Sequence, residues 1–287
     1  MTLAGPVAID GFAYSRIAVG DSTYVAGLAG QGPPVLLLHG FPQNQYCWHR
    51  IAPALAPDRT VVVCDLKGYG ASRAPSGGSR GEGYSKRQMS AELVEVMARL
   101  GHDRFAVVGH DRGGRVAYRM ALDSPHCVER LCVLNIVPTI DQFERMAGGP
   151  SLGYWPWFLL ALPAPFPEQL ITAAPEQFLR FIIFDTWTAE PGVIDEDAFC
   201  VYLDAFAPAA AAICGDYRAS FWLDREHDED DRRSRRRIEC RRSSPPVPRR
   251  RSSQTGRCLA GMGARRSRDD RPGRSLHPRG SARLHNR

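Results

Sequence analysis

Apolar residues are grouped along this chain in two ways. Val35–Leu38, Val61–Cys64 and Phe105–Val108 are short apolar runs without the in–out alternation of a half-exposed strand, and Val128–Val137, apolar apart from Glu129, Arg130 and Asn135, reads as another buried strand. Unbroken runs of this length predict strands buried on both faces, as in a parallel sheet. Between them the apolar spacing is helical. Ser85 to Leu100 places Met89, Leu93, Val96, Met97 and Leu100 on one stripe, and Trp48 to Ala56 has amphipathic spacing. Near the start, Phe12 to Gly27 predicts two strands around the hairpin signal Gly20-Asp21. Strands alternating with helices predict an α/β fold, a doubly wound, mostly parallel sheet whose active site lies at the strands' C-terminal ends.

After the sixth strand the pattern changes. From about Thr139 to Asp224 it consists of aromatic-rich helical segments broken by proline, such as Tyr154-Trp155-Pro156-Trp157-Phe158. This predicts a helical cap inserted after that strand. Most of its aromatic residues are expected to fill the cap's own core. The expected division is a core over 1–138, a cap over 139–225, a return to the core over 226–240 and a tail over 241–287. The tail is rich in Arg, Ser, Pro and Gly and has no Phe, Tyr or Trp. It cannot bury enough apolar surface to offset its ordering entropy, so disorder is expected there.

Charge divides at the same place. Of 37 Lys and Arg residues, 14 lie from Arg241 onward, all of them Arg, against two of the 31 acids. The overall net charge is +6, yet the first 240 residues are mildly acidic. The eight cysteines form no Cys-x-x-Cys pair, and Cys64 and Cys132 sit in apolar runs that suit reduced core thiols. Met1 to Asp10 has neither a basic nor a long apolar segment, and no run reaches about 18 apolar residues. The expectation is a cytoplasmic protein with no membrane partner.

The candidate chemistry centres on Arg104 to Arg115, RFAVVGHDRGGR. A buried strand runs into Gly109-His110-Asp111-Arg112-Gly113 and then a helix. This is a nucleophile elbow with Asp111 where Ser is usual. A nucleophile at the tip of such a turn sits in strained backbone, so its neighbours must be small. Upstream stand His39-Gly40-Phe41-Pro42 after an apolar strand, then Asp65 and Gly68-Tyr69-Gly70-Ala71-Ser72. In this order and spacing the chain resembles the α/β-hydrolase superfamily. Asp111 with Arg112 and Arg115, followed by Asn135-Ile136-Val137-Pro138-Thr139, resembles its fluoroacetate (haloacetate) dehalogenases. The likeness covers roughly residues 10 to 240.

The resemblance implies hydrolytic dehalogenation of a 2-haloacetate through an aspartyl ester. Asp111 is the implied nucleophile. The backbone N–H groups of Phe41 and Arg112 form the implied oxyanion hole. Arg112 and Arg115 lie three residues apart on one side of the first helical turns, which suits a bidentate grip on a substrate carboxylate. The alternative for Arg115 is a solvated helix charge. Trp157 and Tyr217 match the family's halide donors, but Pro156 stands where the family has a His, and proline has no donor to offer. Asn135 occupies the position of the acid that orients the catalytic His. His39 reads as a structural histidine. The catalytic base is unassigned: His277 and His285 lie in Arg-rich context with no strand to position them. No metal or organic cofactor is implied, and the partners implied are a small haloacid and a second subunit in a homodimer.

Two alternatives remain. An epoxide hydrolase of the same superfamily shares the His-Gly-x-Pro stretch and the elbow Asp. A non-catalytic remnant would bind nucleic acid nonspecifically through its arginines. In the resembling family an apolar strand follows a segment like Arg232–Cys240, whereas here the composition turns suddenly. A frameshift near Cys240 is expected, so the C-terminal part of the fold is expected to be missing.

Overall fold

The structure is a computed structural model that describes residues 8–146, 149–187 and 193–243. Seven strands form one sheet in the order β1-β2-β4-β3-β5-β6-β7. They are β1 (Ala13–Val19), β2 (Ser22–Ala29), β3 (Pro34–Leu38), β4 (Thr60–Cys64), β5 (Phe105–His110), β6 (Val128–Leu134) and β7 (Arg241–Ser243). The β1–β2 hairpin and the β2–β4 pair are antiparallel, and the remaining pairs are parallel. The unbroken apolar runs arise because both sheet faces are covered. Leu36, Leu38, Val62 and Cys64 pack into one core cluster, while Val35, Leu37, Val61 and Val63 pack into a second.

Ten α-helices accompany the sheet among the described residues. α1 is Ala52–Leu55, α2 is Lys86–Arg99 and α3 is Arg112–Asp123. After β6 come α4 (Thr139–Arg145), α5 (Trp155–Leu159), α6 (Phe166–Ala173), α7 (Pro175–Arg180), α8 (Glu196–Phe206), α9 (Ala210–Ala219) and α10 (Arg225–Arg233). The switch from strand to helix therefore falls directly after the sixth strand. Ser85 caps α2, its hydroxyl accepting from the Gln88 N–H at 3.2 Å. No single described helix is long and apolar enough to cross a membrane.

Three boundaries differ from the sequence pattern. The helix expected over Trp48–Ala56 is a 3₁₀ turn, Gln45–Trp48, followed by the short α1. Pro53 has no N–H and fits only a first helical turn, so a continuous helix cannot run through it. β6 stops at Leu134 because Asn135 takes a φ of 54°, which leaves the strand conformation. The third difference is β7, which lies inside the stretch that composition assigns to a tail. Arg241, Arg242 and Ser243 pair in parallel with Arg130, Leu131 and Cys132. Pairing of this kind uses backbone groups and asks nothing of apolar side chains. The rest of the expected tail, with His277 and His285, lies outside the described residues.

Candidate active site

β5 ends at His110, and α3 starts at Arg112 with Asp111 between them. Asp111 has φ 47° and ψ −115°, a strained backbone for any residue with a side chain. The turn is tight enough that its glycines cannot be replaced. A Cβ on Gly109 would lie 2.4 Å from the Gly113 carbonyl oxygen. One on Gly113 would lie 2.3 Å from the His39 oxygen. The strain lifts the half-buried Asp111 carboxylate above the C-terminal edge of the sheet, against the loop after β3. There the Phe41 N–H donates to Asp111 Oδ1 at 3.0 Å. The Phe41–Pro42 peptide is cis.

That loop is held from behind by His39, which is fully buried. Its Nε2 accepts from the Leu66 N–H at 2.9 Å, so the proton sits on Nδ1, 3.0 Å from the Gly40 carbonyl oxygen. Burial lowers the imidazole pKa to about 4, and the ring is neutral near pH 7. His39 is therefore a structural histidine, as its sequence context implies. Asp65 lies 3.8 Å away. Burial raises its pKa to about 6, although the Gln45 and Ala71 N–H groups each donate to it at 2.8 Å. For His39, unfolding between about pH 4 and 6.5 takes up a proton. Its contribution to stability is complete above about 6.5 and is lost as the pH falls towards 4. Nitrogen-15 NMR of the ring should show the neutral Nδ1–H tautomer at pH 5.5. An imidazolium signal at that pH would contradict the hydrogen-bond assignment.

Arg112 and Arg115 are brought together, and both are buried. Their guanidinium carbons sit 5.1 and 4.7 Å from the centre of the Trp157 ring. Arg112 also lies over Tyr217 at 4.2 Å. Tyr217 meets Trp157 edge-on at 5.7 Å and Phe41 at 5.3 Å. Residues of the elbow, the β3 loop, α5 and α9 thus form one aromatic cage around two cations. Neither Trp157 Nε1 nor Tyr217 Oη has a hydrogen-bond partner among the described residues. Pro156 is buried beside Trp157 and supplies no donor.

Of the two guanidinium groups expected to grip a substrate carboxylate, Arg112 already has most of its donors engaged. Arg112 Nε donates to Asp216 Oδ2 at 2.8 Å, and Nη2 donates to Oδ1 at 2.6 Å. The same Nη2 reaches the Asp216 carbonyl oxygen at 2.8 Å and Ser220 Oγ at 2.7 Å. Only Nη1 is left, buried and without a partner. Arg115 differs. Its Nη1 donates to the Val137 carbonyl oxygen at 2.7 Å, and its Nε is buried and unpartnered. No carboxylate pairs with Arg115 among the described residues. Burial lowers its pKa from the usual arginine value, and the neighbouring Asp111 carboxylate offsets this only in part. It is not a solvated helix charge.

Asp216 and Lys86 are not among the residues that the sequence motifs point to. Asp216 is fully buried on α9 and also accepts from Tyr69 Oη at 2.8 Å and from Lys86 Nζ. Burial alone would raise its pKa, but Arg112 and Lys86 outweigh this and hold it below the usual carboxylate range. One signal was available. Asp216 is the only acid in the otherwise apolar run Ala209–Gly215 and Tyr217, and a lone acid there needs a cationic partner. Asn135 is exposed at the end of β6, and no described histidine hydrogen-bonds to it or to Asp111. The Arg112 backbone N–H starts α3 and makes no bond to the Asp111 carboxylate.

Residues 33–182 match the family described as alpha/beta hydrolase fold. The chain belongs to the α/β-hydrolase family. A fluoroacetate dehalogenase from Burkholderia sp is 42% identical over 224 residues, covering 77% of this chain and 74% of that protein. A crystal structure from Nostoc sp PCC 7120, provisionally described as an alpha/beta hydrolase, superposes with a TM-score of 0.78. It is 41% identical and covers 83% of this chain and 81% of its own. A Pseudomonas aeruginosa structure, provisionally described as an epoxide hydrolase, gives a TM-score of 0.77 at 38% identity. It covers 90% of this chain and 87% of its own. The α/β-hydrolase relatives thus include both dehalogenase and epoxide hydrolase descriptions.

Proposed function

We propose that this α/β hydrolase acts on a 2-haloacetate through an ester on Asp111. The observation that supports this most is Arg115, a buried guanidinium with an unpartnered Nε, no carboxylate of its own, and a place beside Asp111 in an aromatic cage. A buried cation that forms no ion pair is costly, and a substrate carboxylate would supply the pair. Arg112 Nη1 adds one donor to the same anion.

The Phe41 N–H already holds Asp111 Oδ1, which leaves Oδ2 to attack. Oδ2 bonds to C2 of the haloacetate as the carbon–halogen bond breaks, and the halide leaves with the bonding electron pair. Trp157 Nε1–H and Tyr217 Oη–H are the donors available to receive it. In the resulting ester Oδ1 is the carbonyl oxygen, placed on the Phe41 donor where water attack would develop negative charge. That second step needs a general base, which the described residues do not assign.

The likeness to the Pseudomonas aeruginosa protein supports an epoxide hydrolase as the second reading. An uncharged epoxide would leave Arg115 without an ion pair. The test is the first turnover with 2-chloroacetate and with styrene oxide. Arg115→Ala should weaken the concentration dependence for chloroacetate by about 1.5–3 kcal/mol, the range for a hydrogen bond to a charged group. An unchanged dependence, or faster reaction with the epoxide, would refute the haloacetate assignment.

A further inference from the structure

The Arg112 partners set the charge of the site. Lys86 Nζ bonds Asp216 Oδ1, the oxygen that Arg112 Nη2 also holds. Lys86 Nζ lies 3.4 Å from Asp224 Oδ2. Asp224 is tied into the same group: it accepts from the Lys86 N–H at 2.7 Å and from Ser220 Oγ at 2.9 Å. All four charged side chains are at most 3% exposed. The cluster joins α2, α3, α9 and the turn before α10. It contains two cations, Arg112 and Lys86, and two anions, Asp216 and Asp224. It is therefore electrically neutral, and Arg115 stands next to it with the Asp111 carboxylate as its neighbouring acid and no ion-pair partner among the described residues.

We infer that Lys86 and Asp216 are specificity-determining positioning residues: by balancing the charge of Arg112 they set how strongly the site prefers an anionic over an uncharged substrate. Arg115 supplies the counter-charge, and Arg112 contributes direction through one free N–H. This rests on the haloacetate assignment and adds what that assignment leaves open, the residues beyond the substrate's reach that set the preference for an anion. Neither Lys86 nor Asp216 has to touch the substrate. A buried charge acts over several ångströms when little solvent intervenes.

The two residues should shift selectivity in opposite directions. The measurement is first-turnover chloride release from 2-chloroacetate and from its uncharged isostere 2-chloroacetamide by the full chain. The rate that persists in Asp111→Asn is subtracted, which removes alkylation of cysteines. In the wild type the Asp111-dependent rate should favour the anion. Lys86→Met removes one cation from the neutral group and should lower the anion-to-amide ratio about tenfold. That is the coupling of two unit charges about 12 Å apart at an effective dielectric of about 20. The chloroacetamide rate should stay close to the wild-type value. Asp216→Asn keeps the shape and still accepts from Arg112 Nε, but removes one anion, so the ratio should rise. A folding defect would lower both rates in both variants.

If Asp216→Asn is insoluble, Lys86→Met decides alone, because its chloroacetamide rate reports folding. An unchanged ratio in Lys86→Met, or a ratio falling in both variants, would overturn the inference while leaving Asp111 as nucleophile. No Asp111-dependent chloride release from either reagent would overturn the haloacetate assignment and this inference together.

Discussion

Replacing Asp111 by Asn is expected to abolish covalent capture of chloroacetate, with a loss of about 10⁴-fold or more, as when a covalent nucleophile is removed from an enzyme. Asn has the same shape, and its Oδ1 can still accept from the Phe41 N–H that now holds the carboxylate at 3.0 Å. The elbow backbone at φ 47° should tolerate it, because Asn enters the positive-φ region more readily than most residues. The folded state should therefore survive while the chemistry is lost. Mass spectrometry of the peptide containing residue 111 checks this after incubation with excess chloroacetate. The same adduct on the Asn variant would place the nucleophile elsewhere.

Gly40→Ala should have the next largest effect, although Gly40 carries no reactive group. A Cβ at Gly40 would lie 2.4 Å from Asp111 Cβ and 2.7 Å from Asp111 Oδ1. No real contact is that short, so either the elbow or the β3 loop must shift. A displacement of about 1 Å can cost about 100-fold in rate, and overpacking costs about 1–3 kcal/mol in stability. The first turnover of Gly40→Ala should thus fall by about two orders of magnitude, with a modest drop in melting temperature. Gly153→Ala is the control, since a Cβ there meets nothing within 4 Å. Equal rates for the wild type and Gly40→Ala would mean that the Phe41 loop does not fix the position of Asp111.

Both effects come from the same feature. Asp111, the proposed nucleophile, is positioned by backbone: the strained elbow on one side and the Gly40-Phe41 loop on the other. The proposed substrate end, at Arg112 and Arg115, is arranged by charge. This separates the expected phenotypes. Changes at the backbone end should reduce reaction with charged and uncharged reagents alike. Changes among Lys86, Asp216 and Arg115 should alter the choice between them.

The sequence by itself determined the sheet, the elbow and the place where the helices are inserted. Each is written in short-range pattern. Val35–Leu38 and Val61–Cys64 are apolar on both faces because each strand is buried on both faces. Asp111 between Gly109 and Gly113 is a turn that only small neighbours permit. Arg112 and Arg115 share a side because helical spacing puts them there, and both meet Trp157. The tertiary structure alone decided what those arginines are free to do. Arg112 and Asp216 are 104 residues apart, and Lys86 and Asp216 are 130 apart. Nothing in local periodicity says which buried acid meets which buried base. β7 was hidden for a related reason, since a backbone ladder leaves no apolar signature in Arg241–Ser243. Short-range pattern identified the candidate groups, and long-range pairing decided which of their hydrogen-bonding atoms are already engaged.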